Sequence, residues 1–288
     1  MNRPIQTTPP AAPVSILADS RLAFIGGGNM ASAIIGGLIQ RGLPAARIDI
    51  VEPHAPQRDK LASQFGDVRL HEAPNPALAG SDLVVWAVKP QTFKEAALAC
   101  AAHTGSALHL SVAAGIRTGS MRAWLGNGRL VRAMPNTPAL VGLGMTGLYA
   151  GAGVTPEDRR LVEAVVGTTG RFLWLPQEAD LDAVTALSGS GPAYVFYFLE
   201  AMRRAGTEMG LDADTALQLA IGTFVGAAHL AQDASEPPEV LRERVTSKGG
   251  TTYAALTAMN SAGVADAFVA AMHAAQRRAR ELGDEFGA

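Results

Sequence analysis

The sequence contains a single cysteine, Cys100, among 288 residues, and only 17% of its residues are charged. One cysteine excludes an intramolecular disulfide framework and is typical of a reducing compartment, so we expect a cytoplasmic protein. Basic and acidic residues nearly balance, at 24 and 26, without a run of Lys or Arg, which argues against a nucleic-acid partner. No stretch reaches about 18 consecutive apolar residues, so we expect no membrane span.

The amino-terminal segment lacks the features of a secretion signal. Residues 1–19 contain one Arg and four prolines, without the apolar run of about 7–15 residues that a signal peptide requires. We predict a disordered leader over residues 1–19. Hydrophobic residues make up 48% of the whole chain, which is enough for a sizeable core, and the length predicts about two domains.

Short apolar runs alternate with helical segments over residues 20–178. The predicted strands are Leu22–Ile25, Ile48–Val51, Leu83–Val88, Leu108–Ala113, Leu130–Met134, Met145–Tyr149 and Arg171–Trp174. The predicted helices are Asn29–Gln40, Ala55–Phe65, Thr92–Ala101, Arg117–Leu125 and Pro156–Val166. This alternation is typical of βαβ units, so we predict the α/β fold class, with an N-terminal Rossmann domain built on a doubly wound, mainly parallel sheet.

Strand signals stop after residue 178, and residues 179–288 predict an all-helical C-terminal domain. Its predicted helices are Asp180–Leu187, Pro192–Met209, Ala213–Asp233, Pro238–Val245, Thr251–Met259 and Val264–Leu282. The third of these is apolar nearly all round, so it must be covered on most sides. About 110 residues offer little material for that cover, and we therefore expect a homo-oligomer. A central helix of a monomeric bundle is the alternative.

A glycine-rich turn follows the first predicted strand and opens the first helix. The string GGGNMA matches the pattern G-x-G-x-x-A, in which Gly26 allows a tight turn and Gly28 lets the backbone approach a pyrophosphate. The helix then begins at Asn29 and Met30, where backbone amides can bind phosphate oxygens. Glu52 ends the second strand about 20 residues later, as expected for a ribose contact. These features predict a dinucleotide site.

The sequence leaves the choice between NADH and NADPH open. A carboxylate at Glu52 can accept a hydrogen bond from a ribose 2′-hydroxyl and would repel a 2′-phosphate. His54, Arg58 and Lys60 follow directly and could offset that repulsion. A solvated strand end is the alternative interpretation of Glu52.

Further motifs narrow the choice of family. Val88, Lys89 and Pro90 are at the end of one predicted strand and Ala113 and Ala114 at the end of another, so we expect both groups to face the nicotinamide half of the cofactor. Later strings read MPNTPAL, LSGSGPAYVF and VTSKGGTT. From Arg21 to about Leu282, these motifs together resemble the pyrroline-5-carboxylate reductase family in order and spacing.

The resemblance implies a reductase that transfers hydride from NADPH or NADH to a cyclic imine acid and yields L-proline. NADPH is slightly favoured by the family. The resemblance also implies a helical domain that intertwines with that of a second copy, in a homodimer that is sometimes assembled into a decamer.

The segment 247–252 carries the expected substrate contacts. Because it opens a helix, it offers backbone amides to a carboxylate. By resemblance, Thr252 is the catalytic hydroxyl on the substrate nitrogen, with Ser247, Gly250 and Thr251 near the carboxylate. Ser190 either contacts the substrate or packs between the domains. The family usually has Pro where this chain has Lys248, and the change leaves loop rigidity and anion binding open.

Other readings of the sequence remain. The six histidines and Cys100 show no metal-binding spacing, so we expect no metal. A β-hydroxyacid dehydrogenase would share the two-domain plan, but it would carry a catalytic lysine, and residues 193–198 contain none. A non-catalytic dinucleotide sensor is the other alternative.

Overall fold

The computed structural model describes residues 14–287, which divide into two compact units. The first unit contains residues 14–190 and 275–287, and the second contains Gly191–Ala274. The predicted domain boundary after residue 178 stays a prediction. The division into compact units falls later, and it assigns the end of the last helix to the first unit.

The first unit is built on eight strands, with helices before, between and after them along the chain. The strands are β1 (Leu22–Ile25), β2 (Ile48–Val51), β3 (Arg69–His71), β4 (Leu83–Trp86), β5 (Leu108–Ser111), β6 (Leu130–Met134), β7 (Gly144–Ala150) and β8 (Gly170–Trp174). The helices up to Ser190 are α1 (Val14–Asp19), α2 (Asn29–Gln40), α3 (Ala55–Phe65), α4 (Pro90–Thr104), α5 (Thr118–Leu125), α6 (Pro156–Val166) and α7 (Asp180–Val184).

The strand order is β3-β2-β1-β4-β5-β6-β7-β8, and all neighbours are parallel except β6 and β7. The order reverses between β1 and β4, which is the switch point at which doubly wound sheets bind ligands. The predicted α/β class with a Rossmann sheet is confirmed.

Side chains on the central strands are buried on both faces of the sheet. Along β1, Leu22 and Phe24 join the core on one face, and Ala23 and Ile25 join the core on the other. Alternation along a strand sends successive side chains to opposite faces, and helices cover both faces of a parallel sheet. This double burial explains why the strands are uninterrupted apolar runs in the sequence.

Two predicted strands extend too far at their carboxyl ends. The structure ends β4 at Trp86 and β5 at Ser111, whereas the apolar runs continue to Val88 and Ala113. The chain leaves the sheet at these points and forms loops along its carboxyl edge. Of the residues expected to face the cofactor, Val88, Lys89, Ala113 and Ala114 are therefore in loops, and Pro90 is the first residue of α4.

Strand β3 was not predicted from the sequence, because its three half-buried residues show no apolar pattern. A charge cluster anchors it instead. Asp49 on β2 is fully buried and accepts two hydrogen bonds from Arg69, at 2.8 and 2.5 Å, and lies 2.8 Å from Nε2 of His71. Burial alone would raise the pKa of Asp49, but these partners outweigh burial and hold the pKa below its usual value.

The predicted leader is only partly described. Residues 1–13 lie outside the described residues. Over residues 14–19 the prediction of disorder is wrong: Val14–Asp19 form a helix, Leu17 is buried in the sheet core, and Ser20 caps the helix end by donating to the carbonyl of Ile16 at 2.6 Å.

The second unit is entirely helical over its described residues, as predicted. It contains α8 (Gly191–Glu208), α9 (Ala213–Asp233), α10 (Pro238–Arg244), α11 (Thr251–Ser261) and the first part of α12 (Val264–Phe286). Phe268 packs edge-on against Tyr194 and Phe198, with ring centroids 5.6 Å apart in both pairs. Helices α8 and α9 approach so closely that a Cβ at Gly206 would lie 2.6 Å from Cβ of Ala216.

The described helices do not have the character of single membrane spans. Among residues 14–287, no single helix combines the required length and hydropathy, and the bent pair α11 and α12 meets the requirement by length and composition only.

Candidate cofactor and substrate sites

The glycine turn after β1 has the conformation that the sequence predicts. Gly26 has φ +92°, and a Cβ there would lie 2.8 Å from the carbonyl oxygen of Ala87. Its amide donates to the carbonyl of Val51 at 2.8 Å, so the turn is tied to both neighbouring strands. Glycine is therefore required at residue 26 both by the backbone angle and by the close approach of the next strand.

The turn leaves an open cradle at the start of α2. Gly28 is the N-cap of this helix, gives no side-chain cap, and faces open space, since a Cβ there would meet nothing within 4 Å. Helix α2 begins at Asn29, and its first intrahelical hydrogen bond is donated by Ser32 to Gly28. The amides of Asn29 and Met30 precede that bond and are the uncapped N–H groups that bind phosphates in this fold. The cradle fits a dinucleotide pyrophosphate.

Glu52 is bonded to the same turn. Its carboxylate accepts a hydrogen bond from the amide of Gly27 at 2.9 Å and another from the amide of His54 at 3.0 Å. Gln57 completes the contact by donating to the carbonyl of Gly27 at 2.6 Å. Glu52 was predicted from its distance along the chain to the glycine turn. Gln57 was not predicted, because a glutamine in the first turn of a helix belongs to no motif.

A cation lies beside Glu52. Arg58 donates to the carbonyls of Glu52 and Pro53, at 2.8 and 2.6 Å, and lies 3.7 Å from the carboxylate of Glu72. Of the three basic residues after β2, Arg58 is therefore the one fixed at the strand end, and His54 and Lys60 are exposed.

A cleft of about 540 Å³ opens along these residues. It brings together Gly26, Gly28, Glu52, Val88 and Lys89 from the predicted set. Pro90 begins α4 directly beyond Lys89. Residues that the sequence did not indicate also line the cleft; they include Glu72, Ala73, Pro74 and Thr92. The segment after β3 carries no recognisable motif. Because β3 was not predicted, nothing in the sequence placed this segment at the carboxyl edge of the sheet.

Ala113 and Ala114 are in the loop after β5, next to the end of β4. The amide of Val112 donates to the carbonyl of Trp86 at 3.0 Å, so this loop starts beside the segment that contains Val88 and Lys89. Neither alanine is among the residues lining the 540 Å³ cleft. They occupy the carboxyl edge of the sheet beside it.

The structure joins two of the sequence motifs within the first unit. Asn136, in MPNTP, donates from Nδ2 to the carbonyl and to the hydroxyl of Ser188, both at 3.2 Å. Its Oδ1 accepts from the amide of Met145 at 2.9 Å. Both strings were identified by their resemblance to a known family, but the contact between them was not predicted.

Ser190 follows an irregular turn. The predicted helix Asp180–Leu187 is an α-helix as far as Val184, and the chain then continues as a π-helical turn over Thr185–Gly189. Gly189 packs against the side chain of Met134, where a Cβ would lie 2.5 Å from Cε. Ser190 closes the turn by donating its amide to the carbonyl of Thr185 at 2.9 Å. Such π turns are frequent at functional sites.

The predicted substrate residues open helix α11 in the second unit. Gly249 has φ +75°, and Gly250 is the N-cap without a side-chain cap. The amide of Gly250 donates to the carbonyl of Ser247 at 3.0 Å, which closes the turn. The helix begins with Thr251 and Thr252, so their amides are at its electropositive end. Ser247 and Lys248 are exposed.

Two titratable groups of the first unit are buried: Cys100, which is among the residues that line the cleft, and His109 on β5. Burial raises the pKa of Cys100 to about 12, so its thiol stays protonated. Burial lowers the pKa of His109 to about 4. Nδ1 of His109 accepts from Trp86 at 3.0 Å, and its Nε2 has no partner among the described residues. The described residues hold no cluster of three or more metal-ligating side chains.

Fold and site define the class of protein. A doubly wound sheet, a glycine cradle at its switch point and an acidic residue at the end of β2 are the parts of a nicotinamide-dinucleotide-dependent oxidoreductase. Family models agree: residues 21–115 match "NADP oxidoreductase coenzyme F420-dependent", and residues 178–282 match "Pyrroline-5-carboxylate reductase dimerisation".

Full-length relatives give the particular family. Pyrroline-5-carboxylate reductase of Pseudomonas aeruginosa is 44% identical over 94% of this chain and 100% of the relative. The solved structure of a pyrroline-5-carboxylate reductase from Coxiella burnetii is 36% identical, covers 91% and 98% of the two chains, and has a TM-score of 0.85. Pyrroline carboxylate reductase of Plasmodium falciparum with NADP bound is 24% identical, has a TM-score of 0.82, covers 93% and 99%, and shows the shared fold. The chain belongs to the pyrroline-5-carboxylate reductase family.

Proposed function

We propose that this enzyme reduces the C=N bond of pyrroline-5-carboxylate and forms L-proline, the last step of proline biosynthesis. The observation that carries the proposal is the end-to-end similarity to the reductase of P. aeruginosa. The open cradle at Gly28 and the uncapped start of α11 supply the two groups of binding residues that this reaction needs.

A reduced nicotinamide, when bound, would supply the hydride for the imine carbon of the substrate. For this reaction the protein must bind the carboxylate of the substrate and bring a proton or hydrogen bond to the ring nitrogen. We assign the hydroxyl of Thr252 to the nitrogen, and the amides of Gly250 and Thr251 with Ser247 to the carboxylate. Their place at a helix N-terminus supports the assignment, because amides there attract an anion. Ser190 is assigned as a further substrate contact.

For the cofactor, we assign Gly26, Gly28, Asn29 and Met30 to the pyrophosphate and Glu52 to the adenosine ribose. Val88, Lys89, Pro90, Ala113 and Ala114 are assigned to the nicotinamide half. NADPH is the proposed reductant. The family model of residues 21–115 names NADP, and the guanidinium of Arg58, which donates to the carbonyls of Glu52 and Pro53, places a positive charge beside Glu52 that favours a 2′-phosphate.

We further propose a homodimer formed by the helical unit, with a decamer as the higher assembly. Helix α9 buries only Ala216 and Ala220 against its own chain, while Leu219 and Leu230 are 58% and 72% exposed. Apolar area of this kind marks an interaction surface. Light scattering tests the assembly: a mass near twice or ten times 29.8 kDa supports it, and 29.8 kDa contradicts it. The cytoplasmic location expected from the cysteine content stays a prediction.

The testing experiment is the loss of nicotinamide absorbance with pyrroline-5-carboxylate, measured in parallel with NADPH and NADH. Oxidation of either cofactor supports the reaction, and the ratio of rates identifies the preferred cofactor. Faster oxidation of hydroxyacids would favour the dehydrogenase alternative, and cofactor binding without turnover of any imine would favour a sensor. Related cyclic imines are the matched substrate controls.

A further inference from the structure

We propose that the end of α12 is a positioning clamp for the loop after β5, at the nicotinamide half of the cofactor cleft. We call residues Gly283–Gly287 the carboxyl-terminal clamp and residues Val112–Arg117 the β5 loop. The inference rests on the proposed function, because it concerns how this loop meets a bound nicotinamide. All the residues involved belong to the first compact unit.

The clamp and the loop pack backbone against backbone. Gly115 has φ +78°, and a Cβ there would lie 3.2 Å from the carbonyl carbon of Leu282 and 3.3 Å from the amide nitrogen of Gly283. A Cβ at Gly283 would lie 3.2 Å from the guanidinium of Arg117 and 3.4 Å from the carbonyl of Gly115. A Cβ on either glycine would thus be closer to its neighbours than an ordinary van der Waals contact, and the positive φ of Gly115 also favours glycine there.

Polar and apolar contacts flank this glycine pair. Arg117 pairs with Asp284 at 2.7 Å, and Ser120 donates to the carbonyl of Gly287. Phe286 packs against the core on the same face of the sheet as Trp86. The clamp is thereby fixed to the sheet on one side and to the β5 loop on the other.

The two ends of the β5 loop are held by other groups. Its first residue, Val112, bonds to the end of β4. Just beyond the last residue of the loop, the amide and the hydroxyl of Thr118 both donate to the carboxylate of Glu178 at 2.7 Å. Arg132 pairs with the same carboxylate at 2.9 Å. The middle of the loop, which contains Ala114 and Gly115, therefore receives its outer support from the clamp.

This arrangement gives the clamp a selective effect. The β5 loop is at the carboxyl edge on the β4–β5 side of the switch point, which holds the nicotinamide half in a doubly wound sheet. The adenosine half is served by the turn at Gly26 and by Glu52, which the clamp does not touch. The family model of the helical domain ends at residue 282, so the clamp lies outside the matched residues.

The test compares two adjacent charge reversals. Asp284→Lys places a cation against Arg117, whereas Glu285→Lys is the matched control, because Glu285 pairs instead with Arg278 at 2.7 Å and not with the loop. The measurement is the dissociation constant of each purified full-length variant for NADPH and for 2′-phospho-ADP-ribose, which lacks the nicotinamide. Thermal melts establish that both variants are folded.

We expect Asp284→Lys to raise the dissociation constant for NADPH at least about threefold and to leave that for 2′-phospho-ADP-ribose unchanged. The double reversal Arg117→Glu with Asp284→Lys should restore NADPH binding. An equal loss for both ligands, no loss, or the same loss in Glu285→Lys would overturn the clamp. Wild-type turnover of pyrroline-5-carboxylate is measured separately, so a failure of the proposed function is distinguishable from a failure of the clamp.

Discussion

The amide of Gly27 donates to Oε2 of Glu52 at 2.9 Å, so the glycine turn and the end of β2 hold each other in place. Glu52 therefore has two effects that can be separated. Its oxygen anchors the turn on which a pyrophosphate would bind, and its charge acts on whatever occupies the ribose position.

Two substitutions of Glu52 separate these effects. Glu52→Gln keeps one oxygen for the Gly27 amide, gives up the acceptor for the His54 amide and removes the charge, so we expect the ratio of kcat/KM for NADPH to that for NADH to rise about five- to tenfold. Glu52→Ala also removes the anchor and should weaken both cofactors. Steady-state kinetics with each cofactor provide the measurement, and an unchanged ratio in Glu52→Gln would show that the charge does not reach the ribose.

Thr252 is predicted to act in turnover and not in folding. Thr252→Ala removes the hydroxyl at the start of α11, and we expect kcat to fall at least about tenfold while the melting temperature stays the same. The control is Thr257→Ala on the same helix, whose hydroxyl only bonds back to the carbonyl of Tyr253. Equal activity of the two variants would remove Thr252 from the mechanism.

His109 should make the protein sensitive to acid. Burial lowers its pKa from 6.5 to about 4, so between these values the unfolded chain binds a proton that the folded chain does not. Stability contributed by the neutral imidazole is complete above pH 6.5 and is lost as the pH falls towards 4, by about 3 kcal/mol in all. Urea unfolding measured from pH 7 to pH 4 tests this.

A matched variant isolates that effect. His109→Gln retains an acceptor for the indole of Trp86 but cannot titrate, so its unfolding free energy should depend less steeply on pH over the same interval. A slope equal to that of the wild type would assign the acid sensitivity to other groups.

Asn136 is predicted to stabilise the contact between MPNTP and the π turn. Asn136→Ala leaves the Met145 amide and the Ser188 carbonyl without their partner, which we expect to cost about 1–3 kcal/mol of unfolding free energy. Ser188→Ala removes only the hydroxyl and should cost less. Thermal or urea unfolding gives the order, and an equal cost for the two variants would contradict it.

The sequence was sufficient to predict most of the sheet unit, because its strands are apolar runs that turn residues interrupt. The glycine turn and Glu52 could be placed for the same reason, since their spacing reflects a local backbone requirement. Strand β3 could not be predicted, because the buried carboxylate of Asp49 on the neighbouring strand holds Arg69 and His71. That contact depends on the folded sheet and leaves no periodicity in the chain.

The end of α12 shows a second limit. A glycine after Leu282 is typical of a helix stop, and the helix was predicted to end there, whereas it continues to Phe286. Gly283 instead lies against Arg117 and Gly115, where a Cβ would be 3.2 Å from the guanidinium and 3.4 Å from the carbonyl oxygen. Local rules cannot distinguish a glycine that ends a helix from one that lets another backbone pass.

The short strand β3 also decides what happens at one border of the sheet. An exposed edge strand is a template on which a foreign chain can add, and this is a common start of aggregation. Here the edge is three residues long, and the polar side chains of Arg69 and His71 contact the carboxylate of Asp49. A foreign strand would therefore meet few free backbone groups and little apolar surface. The carboxylate of Asp49, which anchors the edge strand β3, thus also protects this edge against the addition of further chains.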